Sequence, residues 1–515
     1  MEVELKLSVE ASHADSLRTL PLLQKYAAAA PRTVHMADIY FDTPEMAIRS
    51  SDAGLRVREV DDAWIQTLKG GGSVASGLHS RYEWESRVAG PQPELDALRK
   101  LVNPHSAWGK LLREPGLDAR LEKAFTTTIR RTIWDLRLPQ GDQVECALDE
   151  GSIACRDQTS AVCELELELK SGAPEHLFDF ALQLMEHIPL RLANSSKAAR
   201  GYGMFQPQIP AALRAKPVHL ARELTVEEGL RVILANCVAQ VQGNEAAVLD
   251  GRDPEGIHQM RVGLRRLRSA LKLFGKLAPC PSPLRAELSW LADQLGQARD
   301  WEVLVGSTLP RITAALPEQA PALAPLLQAG ENAVHDSHRQ AAEAVASVRF
   351  ARLALGLGAW LTGKRWRVAS PRRRQKQLQA PLVRFSRKVL ARDRAALLRR
   401  GRRLAHADAE ARHRLRIAAK KTRYASEFFQ SLYPRKRIKP FVAALTELQD
   451  ALGWLNDAAV ADGLLGKLQE TAAADTRLAG AAGLARGYLG AAPQLEQVEL
   501  LKLWKRFART RPPAR

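Results

Sequence analysis

Charged side chains alternate with apolar ones at the start of the chain. Glu2, Glu4 and Lys6 are separated by single apolar residues, the period-two pattern of a β-strand with one polar and one apolar face. Two carboxylates and an ammonium group on one face are ordinary if that face meets solvent. If the face lines the inside of a barrel, the charges must be paired or bound to a ligand.

Strand-like segments with charged faces recur as far as Lys170, separated by turn residues. They are 38–42, 54–59, 64–69, 80–88, 126–138, 143–148, 153–154 and 162–170. One interpretation makes the charged faces the solvent side of a half-buried antiparallel sheet. The other turns them inward, into a closed barrel. There, carboxylates would hold a hard divalent cation and bases would hold phosphate oxygens.

The order of these motifs resembles the CYTH superfamily, also called the triphosphate tunnel metalloenzymes. The similarity covers roughly residues 1–205 and begins with the Glu-x-Glu-x-Lys strand at 2–6. It continues through Tyr-Phe-Asp-Thr-Pro at 40–44, Leu-Arg-Val-Arg at 55–58, Lys69, Arg-Tyr-Glu at 81–83, Arg131, Glu145, Cys-Glu-Leu-Glu-Leu-Glu-Leu at 163–169 and Ser-Lys-Ala-Ala-Arg-Gly-Tyr at 196–202. The resemblance implies an eight-stranded antiparallel β-tunnel with flanking helices. It also implies hydrolysis or cyclisation of substrates that contain tripolyphosphate, with Mg²⁺ or Mn²⁺ as cofactor.

The resemblance further implies a role for each matching residue. The metal-binding carboxylates would be Glu2, Glu4, Glu164 and Glu166. The bases that hold the phosphates would be Lys6, Arg56, Arg58, Lys69, Arg81, Arg131 and Lys197, the last of them on a helix that plugs one side of the tunnel. The attacking water would be held by the metal or by a carboxylate such as Glu83 or Glu145, and the pattern does not choose between these two. Asp149 and Glu168 are equally in phase and could instead pair with an arginine of the lumen.

The net charge divides the chain into an acidic and a basic part. Residues 1–210 contain 24 basic and 30 acidic residues, a net charge of −6, whereas residues 211–515 contain 52 and 27, a net charge of +25. A polyanionic partner is therefore expected for the second part.

The cysteines and the apolar segments bear on location. The five cysteines show no Cys-x-x-Cys spacing, which favours reduced thiols over a disulfide framework or a zinc site. A strand that begins at residue 2 leaves no room for a signal peptide. The longest apolar run, near 350–361, is too short to span a bilayer and contains Arg352. The sequence thus predicts a cytoplasmic protein without membrane contact.

A proline-containing stretch separates the strand-rich part from a helical one. Residues 206–220 are predicted to be a linker, residues 221–508 an all-α domain, and residues 509–515 a basic tail. The helical part repeats itself: His-Gln-Met-Arg at 258–261 is echoed by His-Arg-Leu-Arg at 413–416. A second echo relates Leu-Gly-Gln-Ala-Arg-Asp at 295–300 to Leu-Gly-Trp-Leu-Asn-Asp at 452–457. The repeat predicts a pseudo-symmetric pair of helical bundles.

Each copy carries basic residues on one helical face. In the first copy these are His258, Arg261, Arg265, Arg268 and Lys272, and in the second His413, Arg416, Lys420 and Arg423. Like charges at these spacings repel each other, so a bound polyanion would supply the missing counter-charge. The alternative is a solvated basic face, and the two histidines could instead form hydrogen bonds at helix ends.

These helices resemble the CHAD domain over about residues 220–508. That resemblance implies two four-helix bundles around a basic cavity that binds inorganic polyphosphate. Together the two parts resemble bacterial inorganic triphosphatases, which hydrolyse tripolyphosphate to pyrophosphate and phosphate.

Three other functions remain open. They are a polyphosphate-binding protein with weak or no catalysis, an ATP- or thiamine-triphosphate-directed enzyme, and a non-specific nucleic-acid binder acting through the basic part.

Overall fold

The chain folds into two compact units. A computed structural model describes residues 2–60, 63–75, 77–368, 370–471 and 475–513. One unit contains the chain up to Ile209 together with the segment Ala346–Arg365, and the other contains Pro210–Val345 and the chain from Trp366 onward. The last two residues of the predicted basic tail, 514–515, lie outside the described residues.

The strands of the first unit form a closed antiparallel barrel. Their bounds are β1 Glu2–Val9, β2 Arg32–Asp42, β3 Ala53–Val60, β4 Ala63–Ala75, β5 Leu78–Val88, β6 Glu122–Arg137, β7 Gln143–Cys155, β8 Gln158–Ser171 and β9 Leu190–Leu192. They follow the order β5-β4-β3-β2-β6-β7-β8-β1, and β1 pairs back onto β5, so the sheet closes on itself. The prediction of an eight-stranded antiparallel tunnel is confirmed.

Two details differ from the predicted strands. The segments 143–148 and 153–154 belong to one strand, β7, whose pairing with β8 continues as far as Cys155. A short ninth strand, β9, pairs with β1. It was not predicted because three residues are too few to show a periodic pattern.

The helices surround the barrel and make up the second unit. In chain order they are α1 Ala14–Arg18, α2 Pro21–Tyr26, α3 Ala47–Ser50, α4 Leu95–Leu101, α5 Ala107–Leu111, α6 Leu117–Arg120, α7 Pro174–Leu184, α8 Lys197–Phe205, α9 Val226–Gly243, α10 Glu245–Asp250, α11 Glu255–Phe274, α12 Ser282–Val303, α13 Leu309–Ala315, α14 Ala320–Ala346, α15 Val348–Thr362, α16 Arg372–Leu378, α17 Leu382–Gly401, α18 Ala409–Phe428, α19 Arg435–Thr471, α20 Thr476–Leu495 and α21 Gln497–Arg509. No single helix of the described chain is long and apolar enough to cross a membrane, and only one bent pair, Pro317–Ala346 with Val348–Thr362, reaches that length and hydropathy together.

Helix α15 belongs to the barrel unit, although it lies within the range predicted for the all-α domain. Its apolar face packs on α7, where Leu355 is fully buried in the same core as Leu5 and Leu7 of β1. Gly358 leaves room for the ring of Phe178, because a Cβ atom there would stand 2.4 Å from the ring carbon Cε1. The outward apolar side chains of β1 are thus covered by helices, and its charged face is left to line the barrel interior.

The two copies of the repeat fold alike in the second unit. Helix α11 packs against α9 and α12 in the first copy, and α18 packs against α17 and α19 in the second. Equivalent helices also meet each other, α11 with α18 and α12 with α19, as a pseudo-two-fold axis requires. The prediction of a duplicated all-α module is confirmed.

Candidate functional site

A charged cavity of about 310 Å³ lies inside the barrel, and we call it the tunnel. Charged side chains from all eight strands of the barrel and from α3 and α8 line it. Those predicted from the sequence are Glu2, Glu4, Lys6, Arg56, Arg58, Lys69, Arg81, Glu83, Arg131, Glu166 and Lys197. The structure therefore brings eleven of the thirteen predicted residues into one cavity, and the inward orientation of the charged faces is the correct one of the two interpretations.

Strand register decides which charges face each other. Glu4 lies opposite Glu168 on β8 and opposite His79 on β5, and Lys6 lies opposite Glu166. The Lys6 ammonium donates hydrogen bonds to Glu4, at 2.9 Å, and to Glu166. Burial alone would lower the pKa of Lys6, but Glu166 and Glu4 outweigh it and raise that pKa. Lys6 is therefore charged, and its ammonium group bridges a carboxylate of β1 and a carboxylate of β8.

Glu166 is the most heavily paired carboxylate of the tunnel. Lys6, Lys197 and Arg131 all donate to it, Lys197 at 2.9 Å. Burial opposes its charge, yet the three bases hold its pKa well below the usual range. Arg131 and Lys197 also share Asp149, which is fully buried and accepts two 2.6 Å hydrogen bonds from Arg131. Asp149 therefore pairs with a lumen arginine, one of its two predicted roles.

A second group of bases lies across the lumen on β3 and β4. Arg58 donates two hydrogen bonds to Asp38, the longer at 3.0 Å, and Arg56 lies 3.6 Å from the same carboxylate. Burial favours the neutral form of Asp38, but the two arginines outweigh it and lower its pKa to about 2. Lys69 donates to Glu2 at 2.7 Å and lies 3.2 Å from Glu83.

Two predicted residues lie outside the tunnel lining. Glu145 is 3.6 Å from Arg32 and 3.5 Å from Lys170. Glu164 is buried and is held by Lys197 at 3.1 Å and Arg200 at 3.2 Å. Both side chains have the inward phase of their strands, yet neither is part of the cavity lining.

Several lining residues were not predicted as site residues. Asp38 lies in a predicted strand and is in phase with Tyr40. The alternation of that strand could therefore have identified Asp38 as an inward residue. His79 stands one residue before the predicted strand 80–88. Burial and the nearby Lys6 lower its pKa to about 4, so the ring is neutral. Its Nε2 atom lies 3.0 Å from the carbonyl oxygen of Ala193. Glu168, which accepts from Lys170 at 2.7 Å, also lines the tunnel.

The carboxylates of the tunnel are the candidate ligands for a metal ion. Their oxygens are the donors that Mg²⁺ and Mn²⁺ prefer. Within the described part of the chain, however, no three His, Cys, Asp or Glu side chains form a ready cluster for an ion, and lysines pair with the carboxylates of Glu2 and Glu4. The donor chemistry fits a divalent cation, provided that these lysines turn to another anion.

The charges of the tunnel lining nearly cancel. Of the described residues that line it, eight are Lys or Arg and nine are Asp or Glu. A polyanion entering alone would compete with the carboxylates for the same bases. If a polyanion enters together with divalent cations, the basic side chains can bind the polyanion and the carboxylates can bind the cations. The net charge of the tunnel then stays close to zero.

Helix α8 places Lys197 in the tunnel. Ser196 caps the helix, accepting a 3.2 Å hydrogen bond from the amide of Ala199. On the barrel side, a Cβ atom added to Gly201 would stand 2.2 Å from Cε2 of Phe125, so only glycine allows this close approach.

We expect Gly201→Ala to lower the free energy of unfolding by about 1–3 kcal/mol, because the helix must move off the Phe125 ring. The displacement should also weaken any reaction that depends on Lys197. Gly203→Ala is the matched control, since its Cβ would have nothing within 4 Å. That variant should be neutral or up to about 1 kcal/mol more stable. Urea unfolding of both variants checks the prediction, and equal stabilities would contradict it.

A basic cavity of about 400 Å³ lies between the two repeat copies, and we call it the central pocket. Its basic or histidine lining residues are His258, Arg261, Arg265, Arg299, Arg416 and Lys420. Arg261 lies 3.2 Å from Asp300, and its counterpart Arg416 lies 3.9 Å from Asp457. The two copies thus contribute equivalent residues to one site.

The other predicted basic residues lie elsewhere. His413 lines a side pocket of about 310 Å³ with Arg412, Arg416 and Asp462. Arg423 pairs with Glu427 at 3.2 Å. Arg268 and Lys272 line another cavity of about 560 Å³, together with Lys276 and Arg285. The basic residues that share one helical face in the sequence therefore lie in several different environments. The two copies also differ, because the basic residues of the second copy meet other neighbours than those of the first.

The fold and the sites define a charge-lined barrel joined to a duplicated helical module. The model of the CYTH domain matches residues 1–202, and that of the CHAD domain matches residues 232–466. The crystal structure of the CHAD domain from the plant Ricinus communis is 40% identical, with a TM-score of 0.52, and the match covers 59% of this chain and 98% of that one. The chain therefore belongs to the CHAD family through its helical part and carries a CYTH domain before it.

The CYTH part is also similar to a curated protein. The inorganic triphosphatase of Haemophilus influenzae is 30% identical over 201 residues, which are 39% of this chain and 54% of that protein. The match thus spans about half the length of that relative.

Proposed function

We propose that the chain is a metal-dependent triphosphatase that hydrolyses tripolyphosphate to pyrophosphate and phosphate. The observation that carries the proposal is the lining of the tunnel, where basic side chains and carboxylates are present in nearly equal number. Without a ligand they form ion pairs with each other. The similarity to an inorganic triphosphatase over residues of the CYTH part supports the same reaction class.

The bases would exchange their carboxylate partners for phosphate oxygens. Lys6, Lys69, Lys197 and the arginines of the tunnel stand on different strands and on α8, so they surround an extended anion. They would bind and orient the triphosphate and stabilise the charge that develops on its oxygens, which is most of what phosphoryl transfer demands of a protein.

Glu2 and Glu4 would hold the divalent cation once their lysines turn to phosphate, and Glu168, opposite Glu4, is placed to join them. The other two predicted ligands, Glu164 and Glu166, are held by more bases than Glu4 is: Glu166 by Lys6, Lys197 and Arg131, and Glu164 by Lys197 and Arg200. They would therefore join the cation only after more ion pairs have been exchanged. When bound, Mg²⁺ or Mn²⁺ neutralises phosphate charge and lowers the pKa of a bound water.

The water that attacks needs a neighbouring acceptor. Glu83 lines the tunnel and Glu145 does not, so we assign this positioning role to Glu83. The water oxygen forms a bond to a terminal phosphorus, the bridging P–O bond breaks, and the electron pair leaves with pyrophosphate. The water's protons end on the released phosphate and in solvent.

Phosphate release from tripolyphosphate, ATP and long-chain polyphosphate, each with and without Mg²⁺, tests the proposal. Metal-dependent release from tripolyphosphate well above that from ATP is the expected result. Release mainly from ATP or thiamine triphosphate would indicate a different substrate. No release while polyphosphate still binds would make the chain a binding protein.

We further propose that the central pocket binds inorganic polyphosphate. The supporting observation is the group of four bases around Lys420 in one cavity. Burial and the neighbouring Arg416, Arg265 and Arg261 lower the pKa of Lys420 to about 7, against the weaker opposite effect of Asp457. Such crowding is relieved by an anion in the pocket.

This crowding predicts a pH dependence of binding. A bound polyanion raises the pKa of Lys420, so binding takes up a proton above pH 7. The affinity for polyphosphate should be level below about pH 7 and should fall by up to about tenfold per pH unit above it. Titrations at constant ionic strength between pH 6 and 9 measure this slope.

Lys420→Arg is the matched control, since arginine stays charged throughout. This variant removes the contribution of Lys420 to the pH dependence of the affinity. Any contribution from titration of the polyphosphate itself remains. Identical pH profiles for the two proteins would contradict the prediction.

A further inference from the structure

His79 is the only histidine among the described residues that line the tunnel. The residue is 1% exposed, and its Nε2 atom lies 3.0 Å from the carbonyl oxygen of Ala193. Because a carbonyl oxygen only accepts, Nε2 carries the proton, and the Nδ1 atom of the neutral ring keeps a free lone pair. Nδ1 is buried, and no described residue forms a hydrogen bond with it. The tunnel therefore contains a nitrogen donor atom that the described chain leaves unused.

Backbone contacts hold the His79 ring in one orientation. Ala193, which accepts from the ring, donates its own amide to the carbonyl oxygen of Lys6 at 3.0 Å. The next residue, Asn194, accepts a 3.1 Å hydrogen bond from the amide of Gly77, directly before β5. A histidine that binds a metal through one ring nitrogen almost always donates the other N–H to a carboxylate, a backbone carbonyl or water, which fixes its tautomer and its direction. His79 has this arrangement.

Strand register places two carboxylates level with His79. Glu4 of β1 lies opposite His79 of β5 on one side and opposite Glu168 of β8 on the other. Opposite residues of antiparallel strands share one face of the sheet, with Cβ atoms about 5 Å apart, and all three side chains line the tunnel. Lys6 and Lys170 pair with the two carboxylates, so both must be released before the three groups can meet on one ion.

The free lone pair of Nδ1 restricts what it can bind. It repels an unprotonated phosphate oxygen, since both are acceptors, and it suits a metal ion or an N–H or O–H donor. The nearby ammonium group of Lys6 is already engaged with Glu4 and Glu166. Mg²⁺ takes oxygen ligands and keeps several waters, whereas first-row transition ions, Mn²⁺ among them, accept imidazole nitrogen more readily. Two carboxylates and one imidazole are therefore better matched to a transition ion.

We propose that Nδ1 of His79 is a ligand of the divalent cation in the tunnel, together with Glu4 and Glu168, and that it makes the site prefer Mn²⁺ to Mg²⁺. The inference rests on the proposed metal-dependent function and adds the ligand that decides between these two ions. When the polyanion enters, Lys6 turns to phosphate, and Glu4 and Nδ1 then face the same cation.

Pulsed electron paramagnetic resonance of Mn²⁺ bound to the full-length protein tests the proposal, because it detects a nitrogen nucleus bonded to the ion. The sample contains a tripolyphosphate analogue with methylene bridges, which engages the bases, resists hydrolysis and contributes no nitrogen. The wild type should show the coupling of one imidazole nitrogen. His79→Gln should abolish this coupling, since glutamine can keep the hydrogen bond to Ala193 but has no atom in place of Nδ1.

The same variant should change the metal preference. Its dissociation constant for Mn²⁺, measured by titration of the Mn²⁺ signal, should rise by at least about tenfold. Its constant for Mg²⁺, measured by competition, should stay within about threefold of the wild type. The matched control is His35→Gln, the same substitution at an exposed histidine of β2 that does not line the tunnel. The control should leave both constants and the nitrogen coupling unchanged.

Two results would overturn the inference. Mn²⁺ bound to the wild type without nitrogen coupling would show that Nδ1 serves another partner, such as Lys6. An equal loss of Mn²⁺ and Mg²⁺ affinity in His79→Gln would show that the residue only supports the barrel wall.

Phosphate-release assays separate these failures from a failure of the proposed function. If the nitrogen coupling is present but tripolyphosphate is hydrolysed with neither ion, the metal site stands and the triphosphatase proposal fails. If hydrolysis depends on either ion while the coupling is absent, the triphosphatase proposal stands and the inference fails. If no divalent ion binds, both fail.

Discussion

Replacing Glu4 by Gln should reduce metal-dependent phosphate release from tripolyphosphate by about 10²–10³-fold, the size expected when one charge-stabilising group is lost from an enclosed site. The side chain is buried, lies opposite Glu168, and is held by Lys6. The substitution keeps its volume and removes its charge, so a divalent cation loses a ligand. Steady-state assays over a range of Mg²⁺ concentrations measure the loss.

Glu145→Gln is the matched control for Glu4. It changes a glutamate of the same barrel that pairs with Arg32 and Lys170 outside the tunnel lining. Its turnover should stay within a few-fold of the wild type. A loss equal to that of Glu4→Gln would contradict both the metal assignment and the choice of Glu83 as the carboxylate that positions water. Polyphosphate binding by the central pocket should be unchanged in both variants.

The second large effect is expected from Lys197→Met. Lys197 contacts three buried carboxylates, those of Asp149, Glu164 and Glu166. Without the ammonium group their mutual repulsion is no longer compensated, and breaking a buried ion pair in this way costs about 3–5 kcal/mol of stability. Urea unfolding at pH 7 gives the loss directly.

The pH dependence of that loss has a definite sign. In the wild type, Lys197 and its neighbours hold the pKa of Glu166 well below its usual range. In the variant this carboxyl takes up a proton more easily, so the stability difference from the wild type should shrink as the pH falls towards 5. Lys197→Arg keeps the charge and should lose less stability than the methionine variant at pH 7. A methionine variant as stable as the wild type at pH 7 would contradict the ion-pair network of the tunnel.

Residue spacing alone was enough to predict the inward faces of the strands and the repeat of the helices. Strict alternation in β1 and β8 identified the inward residues, because side chains on a strand alternate between two faces whatever the strand pairs with. The spacing of His258, Arg261 and Arg265 placed them on one helical face in the same way. The ordered motifs identified the CYTH and CHAD domains, which the family models confirm.

The partners that each inward side chain meets could be seen only in the folded chain. Alternation cannot tell Glu164, held by Arg200, from Glu168, opposite Glu4, because both share one phase and only the register of β1 against β8 separates them. The basic face of α11 divides between two cavities: α18 and α19 help to line the one around Arg261 and Arg265, whereas the start of α12 and the segment after α11 line the one around Arg268 and Lys272. Helix α15 joins the barrel because the ring of Phe178 fits over Gly358, a complementarity that only the folded chain contains.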